Sequence, residues 1–369
     1  MFPRLNIDLQ KLEHNAKFLA NLSEKNGLSM AAVTKVFCAD SKMVEVLAKQ
    51  NIAYLADSRL NNIESYPKNR TQKTMLLRLA SQSEAKRVVE VCDISLNSEL
   101  STIKVLAKEA KALGKTHGII LMVDLGDLRE GIYHSNESSL METAEFIATE
   151  KSLNFVGIGV NLTCYGSVLP SYENLSKLCD IAKRFEDKFN IKLPVISGGN
   201  SSSLYLLEGS NIKDESGIPP HNPRVPEGIN NIRLGEAIIC GTETAFGNPM
   251  PGLVGDVVTL EAEIIELMEK PSMPEGRRSI NAFGEEVEYI DNGIQMRAIL
   301  AVGRQDANAD NLTCLEDGVE VVGGSSDHMI VDVTKAKRSL KVGDTIEFSL
   351  SYGAILSSFT SSYVYRNYK

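Results

Sequence analysis

Between about residue 28 and residue 240 the chain alternates short apolar runs with amphipathic stretches, and this rhythm limits its fold more than any other feature. The apolar runs predicted as strands are Ser29–Lys35, Ala53–Asp57, Thr74–Leu79, Asp93–Asn97, Gly118–Asp124, Phe155–Asn161, Pro194–Gly199 and Ile232–Ile239. Helical periodicity fills the gaps, as in Ser41–Gln50, Ser83–Val91, Glu99–Leu113, Ser138–Glu150 and Tyr172–Lys188. Near-continuous apolar strands belong in parallel sheets covered on both faces. About eight strand–helix units over this span predict a TIM (β/α)8 barrel. A doubly wound sheet would use fewer strands and a Gly-rich first turn; no G-x-G-x-x-G follows the first run.

After about Gly241 the helical period fades. Asn248-Pro249-Met250-Pro251-Gly252 reads as a linker. Alternating segments follow at Val257–Met268, Glu285–Ile290, Ile294–Val302, Val319–Gly323, Met329–Val333 and Thr345–Tyr352. The prediction is therefore an α/β barrel over residues 11–244 followed by an all-β domain over residues 245–369. Residues 1–10 also alternate and are a candidate strand for the β-domain. A length of 369 residues agrees with two cores rather than one.

The chain carries 39 basic against 48 acidic side chains, a net charge of −9, and shows no basic run. That balance argues against nucleic acid or an anionic membrane as the main partner. The six cysteines are scattered, without a C-x-x-C pair, and read as free thiols in a reducing compartment. Met1-Phe2-Pro3-Arg4-Leu5 has no signal-peptide character and no stretch is apolar enough to span a bilayer, so a cytoplasmic location is expected.

A barrel places its active site at the C-terminal ends of its strands. Those ends carry Lys35, Asp124 with Gly126 and Arg129, Asn161, Ser197-Gly198-Gly199-Asn200-Ser201, and Arg233 with Gly235-Glu236. Taken singly, each has a plain explanation. A lysine after an apolar strand is usually a surface lysine. Gly-Gly-Asn-Ser is a turn and helix cap before it is an anion site. Arg233 reads as an ion-pair partner, Arg129 as part of a solvated charge network, and His328 as a structural histidine. Lys35 is the exception worth pursuing, because burial at a strand end would favour a neutral amine able to condense with an aldehyde.

Jointly, the order of these motifs is similar to that of one family. Val33-Thr34-Lys35-Val36-Phe37-Cys38, Met122–Gly131, Asn230–Ala237, Ser325–His328 and Ser351-Tyr352-Gly353-Ala354 resemble the alanine-racemase-like, fold-type III pyridoxal-phosphate enzymes, closest to their ornithine racemase branch. The resemblance covers nearly the whole chain. It implies a PLP-dependent racemase acting on ornithine or lysine by removing the Cα proton, and a head-to-tail homodimer. It also implies that Lys35 holds pyridoxal 5'-phosphate (PLP) as a Schiff base and serves as one base, and that Arg233 meets the pyridine nitrogen. Asn200, Ser201, Gly235 and Glu236 are implied as the phosphate cradle, and Arg129 as the substrate-carboxylate arginine.

Several positions depart from the family pattern. Met122 stands where alanine racemases commonly carry a carbamylated lysine, Asn161 where they carry a histidine, and Ala39 where they carry a phosphate-site tyrosine. The second-base tyrosine aligns with Phe283, which cannot move a proton. His328 ranks first as replacement base and Tyr352 second, with Asp327 as a substrate-orienting partner. For the far amine of a diamino acid, Asp127, Glu130, Tyr165 and Asp306 are candidates. Alternative readings are an alanine racemase, a PLP-homeostasis protein without racemase activity, a decarboxylase and a metal-dependent D-threonine-aldolase-like lyase. The β-rich C-terminal sequence opposes the second reading, a missing Cys-x-x-x-Asp pattern the third, and too few metal ligands the fourth. No metal is expected.

Overall fold

The computed structural model describes residues 1–213 and 224–369. The chain forms two compact units, Leu9–Gly255 and Met1–Asp8 with Asp256–Lys369.

Strand β1 (Arg4–Ile7) belongs to the second unit. The first unit begins with helix α1 (Leu9–Lys25) and then winds eight parallel strands. These are β2 (Ser29–Val33), β3 (Tyr54–Asp57), β4 (Lys73–Leu76), β5 (Ile94–Asn97), β6 (His117–Asp124), β8 (Leu153–Gly159), β9 (Val195–Ser197) and β10 (Asn231–Leu234). A two-residue strand, β7 (Ile132–Tyr133), pairs with the end of β6. Pairing of β10 with β2, in the register Ile232 to Met30 and Arg233 to Ala31, closes the sheet into a barrel. Ala31, Val33, Ala56, Met75, Ile94, Leu96, Ile120, Met122, Val156 and Val195 fill its centre as a packed core. Small and branched residues dominate there because side chains from all strands converge on one axis.

Helices α2 (Ser41–Ala48), α3 (Leu60–Glu64), α4 (Ala85–Val91), α5 (Leu100–Ala112), α6 (Glu137–Thr149) and α7 (Tyr172–Phe189) alternate with the strands. Helix α7 starts with a reciprocal capping box between Ser171 and Asn174. One predicted strand changes type: Ile232–Ile239 ends at Leu234, and Glu236–Cys240 coils into helix α8. Gly235 makes the break, and a short apolar run such as Ala237-Ile238-Ile239 fits either state.

Asn248–Gly252, expected as a linker, is part of the barrel unit. The buried Glu243 carboxylate accepts the backbone N–H groups of Ala245, Phe246 and Asn248. Asn15 pins Val254 from both sides, donating to its carbonyl and accepting its N–H. The break between units therefore falls at Gly255/Asp256 rather than after residue 244.

In the second unit, β11 (Val258–Pro271) is the spine, pairing antiparallel with β1, with β12 (Ile294–Leu300) and with β16 (Thr345–Leu350). Strands β13 (Leu312–Cys314), β14 (Glu320–Gly324), β15 (Met329–Asp332) and β17 (Tyr365–Tyr368) complete the sheet. Two expectations fail here. Glu285–Ile290 is exposed and forms no strand. Tyr352, expected to end a strand, opens helix α9 (Tyr352–Thr360), which Ser351 caps through the Ala354 N–H. None of the described helices is long and apolar enough to cross a membrane, and all six cysteines are free.

Candidate active site

Strand β10 lies between β2 and β9, so the turns leaving these three strands are neighbours at one end of the barrel. Each carries one part of the candidate site.

The β2 strand stops at Val33, and Thr34 turns the chain into a single helical turn, Lys35–Phe37. Lys35 is consequently exposed at the mouth. The sequence expectation of a buried lysine is corrected because the strand ends two residues before Lys35. What is buried is its predecessor. The Thr34 hydroxyl donates to Asp57 Oδ2 at 2.5 Å and lies 2.7 Å from the Tyr66 hydroxyl. Asp57 also accepts the Arg59 N–H and the Asn62 amide. Burial pushes the Asp57 carboxyl up, against the pull of these hydrogen bonds, and raises the Tyr66 phenol well above its usual range. Beyond the turn, Cys38 (φ 50°) and Ala39 (φ 51°) occupy the left-handed region, a strain that side-chain-bearing residues accept only where the fold imposes it.

After β9, Gly199 (φ 109°) permits a sharp turn in which an added Cβ would lie 2.6 Å from Ser203 Oγ. Asn200 then ties two loops together: its amide donates to the Leu162 carbonyl at 3.1 Å and its oxygen accepts the Ser202 N–H at 2.8 Å. Ser201 Oγ accepts the Ala237 N–H of α8. Ser202 is fully buried and its hydroxyl has no partner among the described residues. An orphaned buried hydroxyl is costly unless something else meets it.

On β10, Arg233 is 3% exposed. Its guanidinium donates to the Val160 carbonyl at 2.6 Å, to Asn161 Oδ1 at 2.7 Å and to Ser197 Oγ. Burial lowers its pKa to about 10, which leaves it charged at neutral pH. Gly235 packs against Val33, where a Cβ would approach to 3.0 Å. Glu236 is half-buried; burial raises its pKa and the charge of Lys35 opposes the shift.

Arg129 arrives from the loop after β6. Asp124 accepts the Gly126 and Leu128 N–H groups, and Asp127 accepts those of Tyr165 and Val168. Arg129 forms a two-pronged ion pair with Glu130. The Asn161 amide donates to the same carboxylate.

Lys35, Arg129, Asn200, Ser201, Gly235 and Glu236 thus sit on or just after strand-end turns of one barrel, and Arg233 on the last residues of β10. His328, Asp327 and Tyr352 belong to the other unit. His328 is exposed, and Asp327 accepts a hydrogen bond from Gln305 at 2.8 Å. Of the candidates for a far amine, Asp127 is 1% exposed and committed to backbone amides, so it is removed as a rim residue. Asp306 is removed as well: it is 3% exposed and accepts the Ser361 hydroxyl. Tyr165 remains 73% exposed. Sequence reasoning did not find Ser202, because its signal is a missing partner, nor the ties of Asn161 and Ser197 to Arg233.

Residues 7–214 match the family model described as the alanine racemase N-terminal domain. The chain belongs to the alanine racemase family. It is 46% identical to an ornithine racemase of Acetoanaerobium sticklandii over 364 residues, 99% of each chain. It is 35% identical to a lysine racemase of Thermotoga maritima, over 100% of this chain and 99% of that one. The alanine racemase of Bartonella henselae, solved with covalently bound pyridoxal phosphate, superposes with a TM-score of 0.72 at 18% identity, covering 100% of both chains. This likeness extends the family's fold, a barrel followed by a β-domain, to the whole chain.

The residues present fit PLP. The orphaned Ser202 hydroxyl and the Gly199 turn offer a phosphate a donor and room. Lys35, Arg129 and Arg233 against Glu130 and Glu236 leave a cationic surplus for a phosphate and a carboxylate.

Proposed function

We propose that this protein is a PLP-dependent racemase of diamino acids, with ornithine as its first substrate and lysine as its second. The reading is carried by three neighbouring strand ends that offer an exposed lysine, a buried arginine and an unpartnered serine hydroxyl. The substrate class is supported by the full-length likeness to an ornithine racemase and a lysine racemase.

When bound, PLP supplies an electron-accepting ring that acidifies the substrate Cα–H. Lys35 would hold it covalently and then take or return the proton on one face of Cα. Arg233 has N–H donors and no acceptor. It would therefore meet the ring nitrogen without protonating it and keep the ring a moderate electron sink, which suits simple proton exchange. The Ser202 hydroxyl, with the turns at Asn200-Ser201 and Gly235-Glu236, would bind the phosphate. Arg129 would bind the substrate carboxylate as a fork. His328 or Tyr352 would serve the opposite face, supplied by the partner in a head-to-tail homodimer.

The test is to load the purified protein with PLP, reduce it with borohydride and locate the added mass. A stable adduct on Lys35 supports the reading. An adduct on other lysines with Lys35 unmodified overturns it.

A further inference from the structure

Glu130 is adjacent in sequence to a cation that it also grips in space. Both carboxylate oxygens are engaged by Arg129: Nη2 donates to Oε1 at 2.6 Å and Nε donates to Oε2. The Asn161 amide donates to Oε1 as well, and Asn161 Oδ1 accepts Arg233 at 2.7 Å. One carboxylate thus stands between two guanidiniums, one exposed at the mouth and one buried beneath it. The Glu130 side chain is 15% exposed and that of Arg129 38%, so the carboxylate is sheltered while its guanidinium partner still reaches solvent. The pair is bracketed by constrained backbone: Leu128 (φ 58°) is in the left-handed region, and Gly131 (φ 132°) packs where a Cβ would strike the Asp124 backbone nitrogen at 2.4 Å. No other acidic side chain hydrogen-bonds to Arg129 or Asn161 among the described residues. Met122, on the strand leading to this loop, is buried in the barrel core and carries no charge.

We propose that Glu130 is a positioning residue, which fixes the Arg129 fork for the substrate carboxylate and couples it through Asn161 to Arg233. This rests on the racemase reading above and deepens it. It also makes Glu130 a poor partner for the substrate's far amine, because three donors already occupy its two oxygens, out of roughly four acceptor sites on a carboxylate. A flexible arginine has many rotamers, and the two-pronged pair with Glu130 selects one before substrate arrives.

The experiment is a double-mutant cycle on the PLP-loaded enzyme, with Glu130→Gln, Arg129→Gln and the double variant, measured on L-ornithine and on L-alanine. Glu130→Gln should raise KM about tenfold or more while kcat changes less, as expected when ground-state carboxylate binding is weakened. The double variant should be no worse than Arg129→Gln within about twofold, because the two residues act as one unit. Glu130→Asp, which restores the charge on a shorter arm, should recover part of the loss. Multiplicative losses, or a loss on ornithine that spares alanine, would overturn the proposal; the second would return Glu130 to the far amine.

One readout is independent of turnover. In ¹⁵N-arginine-labelled protein, the Nε–H resonance assigned by its absence from Arg129→Lys should shift in Glu130→Gln. If wild type racemises nothing and this resonance still shifts, the racemase reading fails while the Glu130–Arg129 coupling stands. An unmoved resonance overturns the coupling whatever the activity.

Discussion

Thr34→Val removes one hydroxyl from the buried platform under Lys35 and leaves its volume almost unchanged. Two partners lose a bond: Asp57 Oδ2 at 2.5 Å and the Tyr66 hydroxyl at 2.7 Å. Both residues are nearly inaccessible, 0% and 3% exposed, so water does not replace the lost contact. An unsatisfied buried polar group costs about 1–3 kcal/mol. Asp57 keeps the Arg59 and Asn62 donors, so its share falls at the low end. The sum is roughly 2–4 kcal/mol, or about 5–12 °C in the melting temperature of a unit this size. Thr34→Ser retains the hydroxyl and should lose only about 1 kcal/mol for its missing methyl. Thermal unfolding by circular dichroism, run on both variants without cofactor, measures the difference. The valine variant should also trap less PLP on Lys35 after borohydride, because the adjacent turn has lost its anchor. A valine variant that melts within about 1 °C of wild type would refute the reasoning.

Three further predictions concern other parts of the barrel. His117 is buried with Nε2 2.7 Å from Ser95 Oγ, and burial lowers its pKa from 6.5 to about 4. A depressed folded-state pKa gives stability that is complete above 6.5 and lost as pH falls towards 4, in all about 3 kcal/mol; urea titrations at the two ends of that window should show this loss reduced in His117→Gln, and an unchanged loss would contradict it. Gly157→Ala would put a Cβ 1.8 Å from the Val195 carbonyl on the neighbouring strand, and should cost about 3 kcal/mol or prevent soluble expression; a fully stable variant would rule out this close packing. Ser202→Ala should leave cofactor-free stability within about 0.5 kcal/mol, because its hydroxyl has no partner to lose, while PLP affinity by fluorescence titration falls; unchanged affinity would take Ser202 out of the phosphate site.

The barrel was legible because its strands are buried on both faces, which writes them as apolar runs separated by amphipathic helices. The errors fall where that signal is ambiguous. Ala237-Ile238-Ile239 is apolar enough for a strand, yet a glycine just before it lets the chain start α8 instead. Glu285–Ile290 alternates but packs on nothing. Helix α9 was missed because Ala354-Ile355-Leu356 gives no period within three residues, and only the Ser351 cap marks its start.

At the site, the strand-end residues could be read in order along the chain, but their environment could not. The burial expected of Lys35 belongs to Thr34, since the strand ends two residues earlier than its apolar run. The role of Glu130 was out of reach because neighbouring residues on extended chain point apart, whereas here they sit in an irregular loop that has Leu128 in the left-handed region. Asp127 looked like a rim carboxylate because sequence does not show which backbone amides will claim it.

The most direct test of the whole reading is the fate of enantiopure L-ornithine with the PLP-loaded enzyme, followed by chiral chromatography in deuterated water. Racemisation predicts an approach to equal L and D forms with deuterium at Cα, abolished in Lys35→Ala. A protein that holds PLP on Lys35 yet leaves L-ornithine, L-lysine and L-alanine unchanged and undeuterated would contradict it.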